Sequence, residues 1–108
     1  MGNKIKLLVT GLNGVVGQAL FPALESRYEI SALSRSGVEG IPHEKVFRAD
    51  IADIDAIQPA FIGIDVVLHL AADGGIGSPD GQSAPWDSML SNNIVGTYNV
   101  LQLSLIHI

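Results

Sequence analysis

An apolar run from Ile5 to Val9 leads directly into Thr10-Gly11-Leu12-Asn13-Gly14-Val15-Val16-Gly17, and an amphipathic run follows from Val15 to Glu25. That order reads as strand, glycine turn, helix, and it restricts the possible folds more than any other stretch of the chain. Backbone N–H groups at a new helix start are free to donate, and the helix dipole favours an anion there. The turn is therefore predicted to hold the pyrophosphate of a dinucleotide, with Gly11, Asn13, Gly14, Val15, Val16 and Gly17 as contact residues. Gly11 makes the sharp exit from the strand, Gly14 lets the main chain approach phosphate, and Gly17 lets the helix sit close on the strand. Val15 and Val16 would offer backbone amides rather than side chains. The bland alternative is a glycine-rich loop with no ligand. The strand before it and the βα units after it favour the nucleotide. A Walker loop is excluded, because Gln18 follows Gly17 where lysine is needed.

The 108 residues allow one small domain or a piece of one, and nearly half of them are apolar, enough for a core. A net charge of −5 without a basic cluster argues against nucleic acid or an anionic membrane as partner. The chain has no cysteine, and His43, His69 and His107 are scattered without ligand spacing, so no metal site is expected. There is no long apolar leader and no run of transmembrane length, so a cytoplasmic protein is the expectation.

Further strands are predicted at Tyr28 to Leu33, Val46 to Ala49 and Asp65 to Leu70. The helix after the first strand is expected to bury Val16, Ala19, Leu20, Ala23 and Leu24, with Pro22 kinking or shortening it. Ser34-Arg35-Ser36 follows the second strand, where an acid would grip a ribose 2′-hydroxyl and an arginine suits a 2′-phosphate. Arg35 leans the cofactor towards NADP, though a solvated loop arginine, or one stacked on adenine, is the competing view. Asp50 and Ile51, at the end of the third strand, are placed against the adenine by carboxylate and backbone N–H. Asp53 is the better helix cap, with Ile54, Ile57, Ala60 and Phe61 facing inward. Leu70, Ala71 and Ala72, small or apolar residues at the fourth strand's end, let ribose and phosphate lie against the sheet edge. His69 is expected to be a satisfied structural histidine. Asp73 to Pro85, with four glycines and two prolines, reads as a long loop, either suited to substrate contact or mobile and without a role. A helix from Trp86 to about Leu103 carries Trp86, Met89, Leu90, Ile94, Tyr98 and Leu101 in a stripe expected to be core. Asn93 lies on the edge of that face, where its amide either orders backbone or water near the nicotinamide or ties the helix to the fourth strand. The resulting fold class is α/β: a Rossmann-type doubly wound parallel sheet, truncated to four strands in the order 3-2-1-4 with flanking helices.

The glycine turn, Asp50-Ile51, His69-Leu70-Ala71-Ala72 and Asn93-Ile94-Val95-Gly96-Thr97-Tyr98-Asn99-Val100, in this order and spacing, resemble the N-terminal part of the extended short-chain dehydrogenases/reductases. These are also called the NAD-dependent epimerase/dehydratase family. Within the family, Pro85-Trp86 leading into the Asn93 helix is similar to the uronate dehydrogenase branch. Members of that branch usually carry an acid where this chain has Ser34-Arg35. The resemblance implies NAD or NADP as cofactor, a sugar or sugar-like small-molecule substrate, and an oxidoreductase or epimerase working by hydride transfer. It is compatible with a homo-oligomeric parent.

It also implies a Tyr-x-x-x-Lys pair, the tyrosine as general acid or base and the lysine lowering its pKa. Tyr28 is followed four later by Ala32 and Tyr98 by Gln102, so neither is the pair, and no catalytic residue is assigned in this chain. The expectation is an enzyme's cofactor-binding part, inactive alone. A catalytically inactive NAD(P)-binding sensor is the alternative. Residues 1–102 are expected to form the incomplete dinucleotide-binding domain. Residues 103–108, Leu103-Ser104-Leu105-Ile106-His107-Ile108, look like readthrough of a transposase mosaic-end sequencing adapter and are expected to be a non-native tail.

Overall fold

The computed structural model describes residues 4–72 and 86–107. The loop expected over 73–85 lies outside them. Four strands, β1 (Lys6–Thr10), β2 (Glu29–Ser34), β3 (Val46–Arg48) and β4 (Val66–His69), form one parallel sheet in the order β3-β2-β1-β4. The doubly wound expectation is met in strand count, direction and order. All four carboxyl ends therefore reach the same sheet edge.

The sheet is buried on both faces because β1 and β2 are apolar on both sides. Leu7, Val9, Ile30 and Ala32 pack with Leu12 and Val38 on the side of helix α1 (Val15–Glu25), where Phe21 and Leu24 join them. Leu8 and Leu33 face the other way, onto Ile51, Ile57, Ala60, Phe61, Val100 and Leu103. Those residues come from the β3–β4 connection and from helix α4 (Gly96–His107). The connection holds α2 (Ile54–Ile57) and a 3-10 turn (Gln58–Phe61), and Asp53 caps α2 by accepting the Ala56 amide at 3.2 Å.

Two helical faces differ from the sequence expectation, for one reason. In α1 the inward line is Gly17, Phe21 and Leu24, whereas Val16, Ala19, Leu20 and Ala23 are exposed. A Cβ on Gly17 would stand 2.6 Å from the Gly11 oxygen, so only glycine lets this helix seat on the turn. The helical period then carries Phe21 and Leu24 inward. In α4 the corresponding residue is Gly96, packed against the Ile51 side chain. Asn99, Val100 and Leu103 follow it inward at helical spacing. Most of the expected apolar stripe faces out: Trp86 is 64%, Ile94 53%, Tyr98 61% and Leu101 57% exposed, whereas Met89 is half-buried. Pro22 lies within α1 without dividing it, on its exposed side.

The last helix is also not uniform. A short α3 (Trp86–Met89) runs into a π-helical turn (Leu90–Val95), where the Gly96 amide bonds the Ser91 carbonyl, and then into α4. Among the described residues no helix is long and apolar enough to cross a membrane.

Candidate functional site

At the carboxyl edge of the sheet lies a cavity of about 400 Å³ lined by residues following all four strands. Gly11, Asn13 and Gly14 come from β1, Ser34 and Arg35 from β2, Ala49 and Ile51 from β3, and Leu70, Ala71 and Ala72 from β4, with Asn92 from the π turn. This is where open α/β sheets bind ligands. A larger groove, of about 690 Å³, sits at the opposite, amino edge among Lys4, Lys6, Glu25, Glu29 and Lys45. Its Lys45 is paired with Glu29 at 3.2 Å.

The glycine turn leaves amides exposed at a helix start. Gly11 has φ +76°, a conformation natural to glycine. The Gly14 amide closes the turn on the Gly11 carbonyl at 3.0 Å, and the Gly14 carbonyl accepts the Gln18 amide at 3.0 Å to start the helix. Among the described residues the amides of Val15 and Val16 have no protein acceptor, and both residues are exposed. The bend is thus neither blocked nor self-satisfied. It presents the unpaired N–H groups that a phosphate requires. Gly17 is buried against Leu12 and serves packing.

The opposite wall is held by hydrogen bonds. Thr10 Oγ1 accepts the amides of Leu70 at 3.1 Å and Ala71 at 3.2 Å, and lies 2.6 Å from His69 Nδ1. With both lone pairs engaged, the hydroxyl proton goes to Nδ1. The ring proton is then on Nε2, which donates to Thr97 Oγ1 at 2.9 Å. His69 is neutral in this arrangement, and burial lowers its pKa below the ordinary 6.5. It ties β1, β4 and α4 together and has no nitrogen left for a substrate.

The third-strand wall is positioned in a similar way. Asp50 Oδ1 accepts the Ala52 amide at 2.9 Å, and the Asp50 carbonyl accepts the Asp53 amide at 2.9 Å. The carboxylate is spent partly on this turn, and Asp50 does not line the cavity, whereas Ala49 and Ile51 do. The buried Asn99 donates to the Ile51 carbonyl at 2.9 Å, and the Ile51 amide has no protein acceptor among the described residues.

Of the residues expected from sequence, the cavity gathers Gly11, Asn13, Gly14, Arg35, Ile51, Leu70, Ala71 and Ala72. Val15 and Val16 are exposed at the helix start beside it, and neither the buried Gly17 nor the exposed Asp50 lines it. On the last helix the lining residue is Asn92, and its neighbour Asn93 is not on the wall. The extra residue in the π turn rotates the helix there, and such wide turns often mark functional sites. Helical periodicity alone does not reveal that shift. Asn99 could have been noticed as an amide four residues from the apolar Leu103, and Ser34 as the last residue of a strand that ends at the cavity. Among the described residues Arg35 is the sole charged residue on the wall.

The sequence pattern of the NAD dependent epimerase/dehydratase family matches residues 7–107. The chain belongs to that family. Among family relatives, it is 39% identical over 100 residues to L-arabinose 1-dehydrogenase (NAD(P)(+)) of Haloferax volcanii, covering 93% of this chain and 36% of that protein. It is 29% identical over 105 residues to a uronate dehydrogenase of Pseudomonas putida, covering 94% and 37%. Among solved structures, a uronate dehydrogenase variant from Agrobacterium tumefaciens in complex with NAD superimposes with a TM-score of 0.79 at 24% identity. That superposition covers 97% of this chain and 38% of the other. The chain thus spans little more than a third of these family members. The resemblance to this family stated from sequence is correct.

Proposed function

We propose that this chain forms the adenosine and pyrophosphate part of a nicotinamide dinucleotide site, in a protein that moves hydride at a hydroxyl or carbonyl carbon of a sugar-like substrate. The observation that carries the reading is the pair of unpaired amides at Val15 and Val16, at a helix start beside a cavity to which every strand end contributes. In this reading the amides of the turn hold the pyrophosphate and Gly14 leaves room for it. The Ile51 amide and Asp50 lie on the adenine side, and Leu70, Ala71 and Ala72 pack against ribose. Asn92 or Asn93 orders the nicotinamide end. The bound nicotinamide supplies the hydride acceptor or donor.

Among the described residues Arg35 is the cationic side chain on the wall, and none of the described lining residues is acidic. We therefore place the 2′-position of the adenosine ribose beside Arg35, which accommodates NADP as well as NAD. The relative whose name carries NAD(P)(+) supports that dual use. No Tyr-x-x-x-Lys pair lies in these 108 residues, so the chain alone is expected to bind without turnover.

The test is titration of the purified chain with NAD and with NADP, followed by calorimetry and thermal unfolding. Nucleotide at a hundred times its Kd stabilises a folded chain by about 2.7 kcal/mol. Protection by either nucleotide supports the reading. Failure of both to bind overturns it.

A further inference from the structure

Asn13 is exposed, yet its side chain reaches across the sheet edge. Its Nδ2 lies 3.3 Å from Ser36 Oγ and 3.1 Å from the Gly37 carbonyl, and donates to both. The Ser36 amide in turn donates to Ser34 Oγ at 3.2 Å. Arg35 therefore sits in a short loop pinned on both sides, by Ser34 before it and by Ser36 and Gly37 after it. Its guanidinium has no protein partner among the described residues. Asn13 and Arg35 line the same cavity.

Exposed hydrogen bonds of this kind add little to global stability, because water replaces them readily. Their effect is local. They link the turn assigned to pyrophosphate to the loop assigned to the adenosine ribose, so that the two anion-facing elements keep a fixed relation. A guanidinium on a loosened loop has to be ordered when a phosphate binds, and that ordering weakens binding. A ribose hydroxyl makes a smaller demand on the same loop.

We propose that Asn13 is a positioning residue for cofactor choice, holding the 34–37 loop so that Arg35 meets the 2′-phosphate of NADP. The proposal rests on the dinucleotide reading above. It goes beyond that reading by giving a residue of the glycine turn a role in discriminating the 2′-substituent.

The test compares Kd values for NADP and NAD, measured by calorimetry on the 108-residue chain, for wild type, Asn13→Ala, Arg35→Ala and the double variant. Asn13→Ala is expected to lower the NADP-to-NAD affinity ratio about fivefold, the scale of ordering one side chain. Ser36→Ala, which removes one of the two acceptors, shifts the ratio in the same direction by less. In the Arg35→Ala background, Asn13→Ala leaves the ratio unchanged, because the residue it positions is gone. An equal loss for both nucleotides, or the same ratio shift with and without Arg35, overturns the proposal while leaving the dinucleotide reading intact. A wild-type chain that binds neither nucleotide overturns both.

Discussion

Gly11 lies so close to Ala71 that a Cβ on the glycine would stand 2.6 Å from the Ala71 nitrogen. The two residues are sixty positions apart, and their contact joins the ends of β1 and β4 beneath the cavity. Gly14, three residues on, is different. A Cβ there would stand 3.2 Å from the Gly11 oxygen, a tight contact but not an overlap, and its φ of −75° suits any residue.

The contrast separates fold from binding. Gly11→Ala meets both a left-handed backbone and a backbone obstacle, so a loss of at least about 3 kcal/mol is expected, enough to unfold a small chain. Gly14→Ala costs about 1 kcal/mol or less in stability. It nevertheless lowers dinucleotide affinity at least about tenfold, because its methyl group occupies the approach to phosphate. Denaturant melts and nucleotide titrations of the two variants check this. Equal loss of stability in both contradicts the division of labour.

The same glycines explain how far the sequence could be read. Strand positions follow from the apolar runs, and the sheet order from reading the glycine turn as the start of a doubly wound fold with right-handed crossovers. The glycine turn, Arg35, Ile51 and the Leu70-Ala71-Ala72 edge follow from their places just past strand ends. The helix faces do not follow, because counting large apolar residues favours Val16 and Leu20, or Ile94 and Tyr98. The deciding residues, Gly17 and Gly96, are the smallest, and their role is visible only as a lack of space. Asn92 was hidden by the π turn, whose extra residue leaves no mark in the period.

His69 gives a pH dependence with a definite sign. Burial lowers its pKa in the folded chain below the ordinary 6.5, so the unfolded chain takes up the proton first as pH falls. Its contribution to stability is complete above that ordinary value and is lost as pH falls towards the folded value. The protonated ring would also face Thr10 Oγ1, whose lone pairs already hold two amides. His69→Phe removes both ring hydrogen bonds and is expected to cost about 1–2 kcal/mol near neutral pH. It also flattens the decline on the acid side. Urea denaturation of both chains at about pH 7.5 and about pH 5 measures this. Parallel pH profiles in the two chains would remove His69 from the explanation.

Ser31 is a polar residue on an apolar face. It pairs with Leu8 across β1 and β2, and its hydroxyl is buried with no partner among the described residues. A buried hydroxyl without a hydrogen bond costs more than the methyl group that could replace it. Ser31→Ala is therefore expected to stabilise the chain by about 0.5–1.5 kcal/mol, read as a higher denaturation midpoint at unchanged slope. A lower midpoint would show that the hydroxyl has a partner in solution.

Gly96 and Ile51 offer a paired test of how α4 docks. A Cβ on Gly96 would overlap the Cγ1 and Cδ1 atoms of Ile51. Alanine in place of a helical glycine gains about 1 kcal/mol of intrinsic helix stability. Overpacking typically costs about 1–3 kcal/mol. Gly96→Ala alone is therefore expected to be neutral to destabilising. Ile51→Ala, which removes both Cγ1 and Cδ1, costs about 2–5 kcal/mol alone. Together the two changes should cost less than their sum, because the alanine at position 51 opens space where the new methyl group enters and the helix gain is recovered. The non-additivity also bears on the site, since Ile51 lines the cavity and its carbonyl is held by Asn99 from the same helix. A double-mutant cycle by urea denaturation measures the coupling. Strict additivity would mean that the helix shifts on the sheet rather than pressing on Ile51, and nucleotide affinity should then fall with Gly96→Ala whether or not residue 51 is changed.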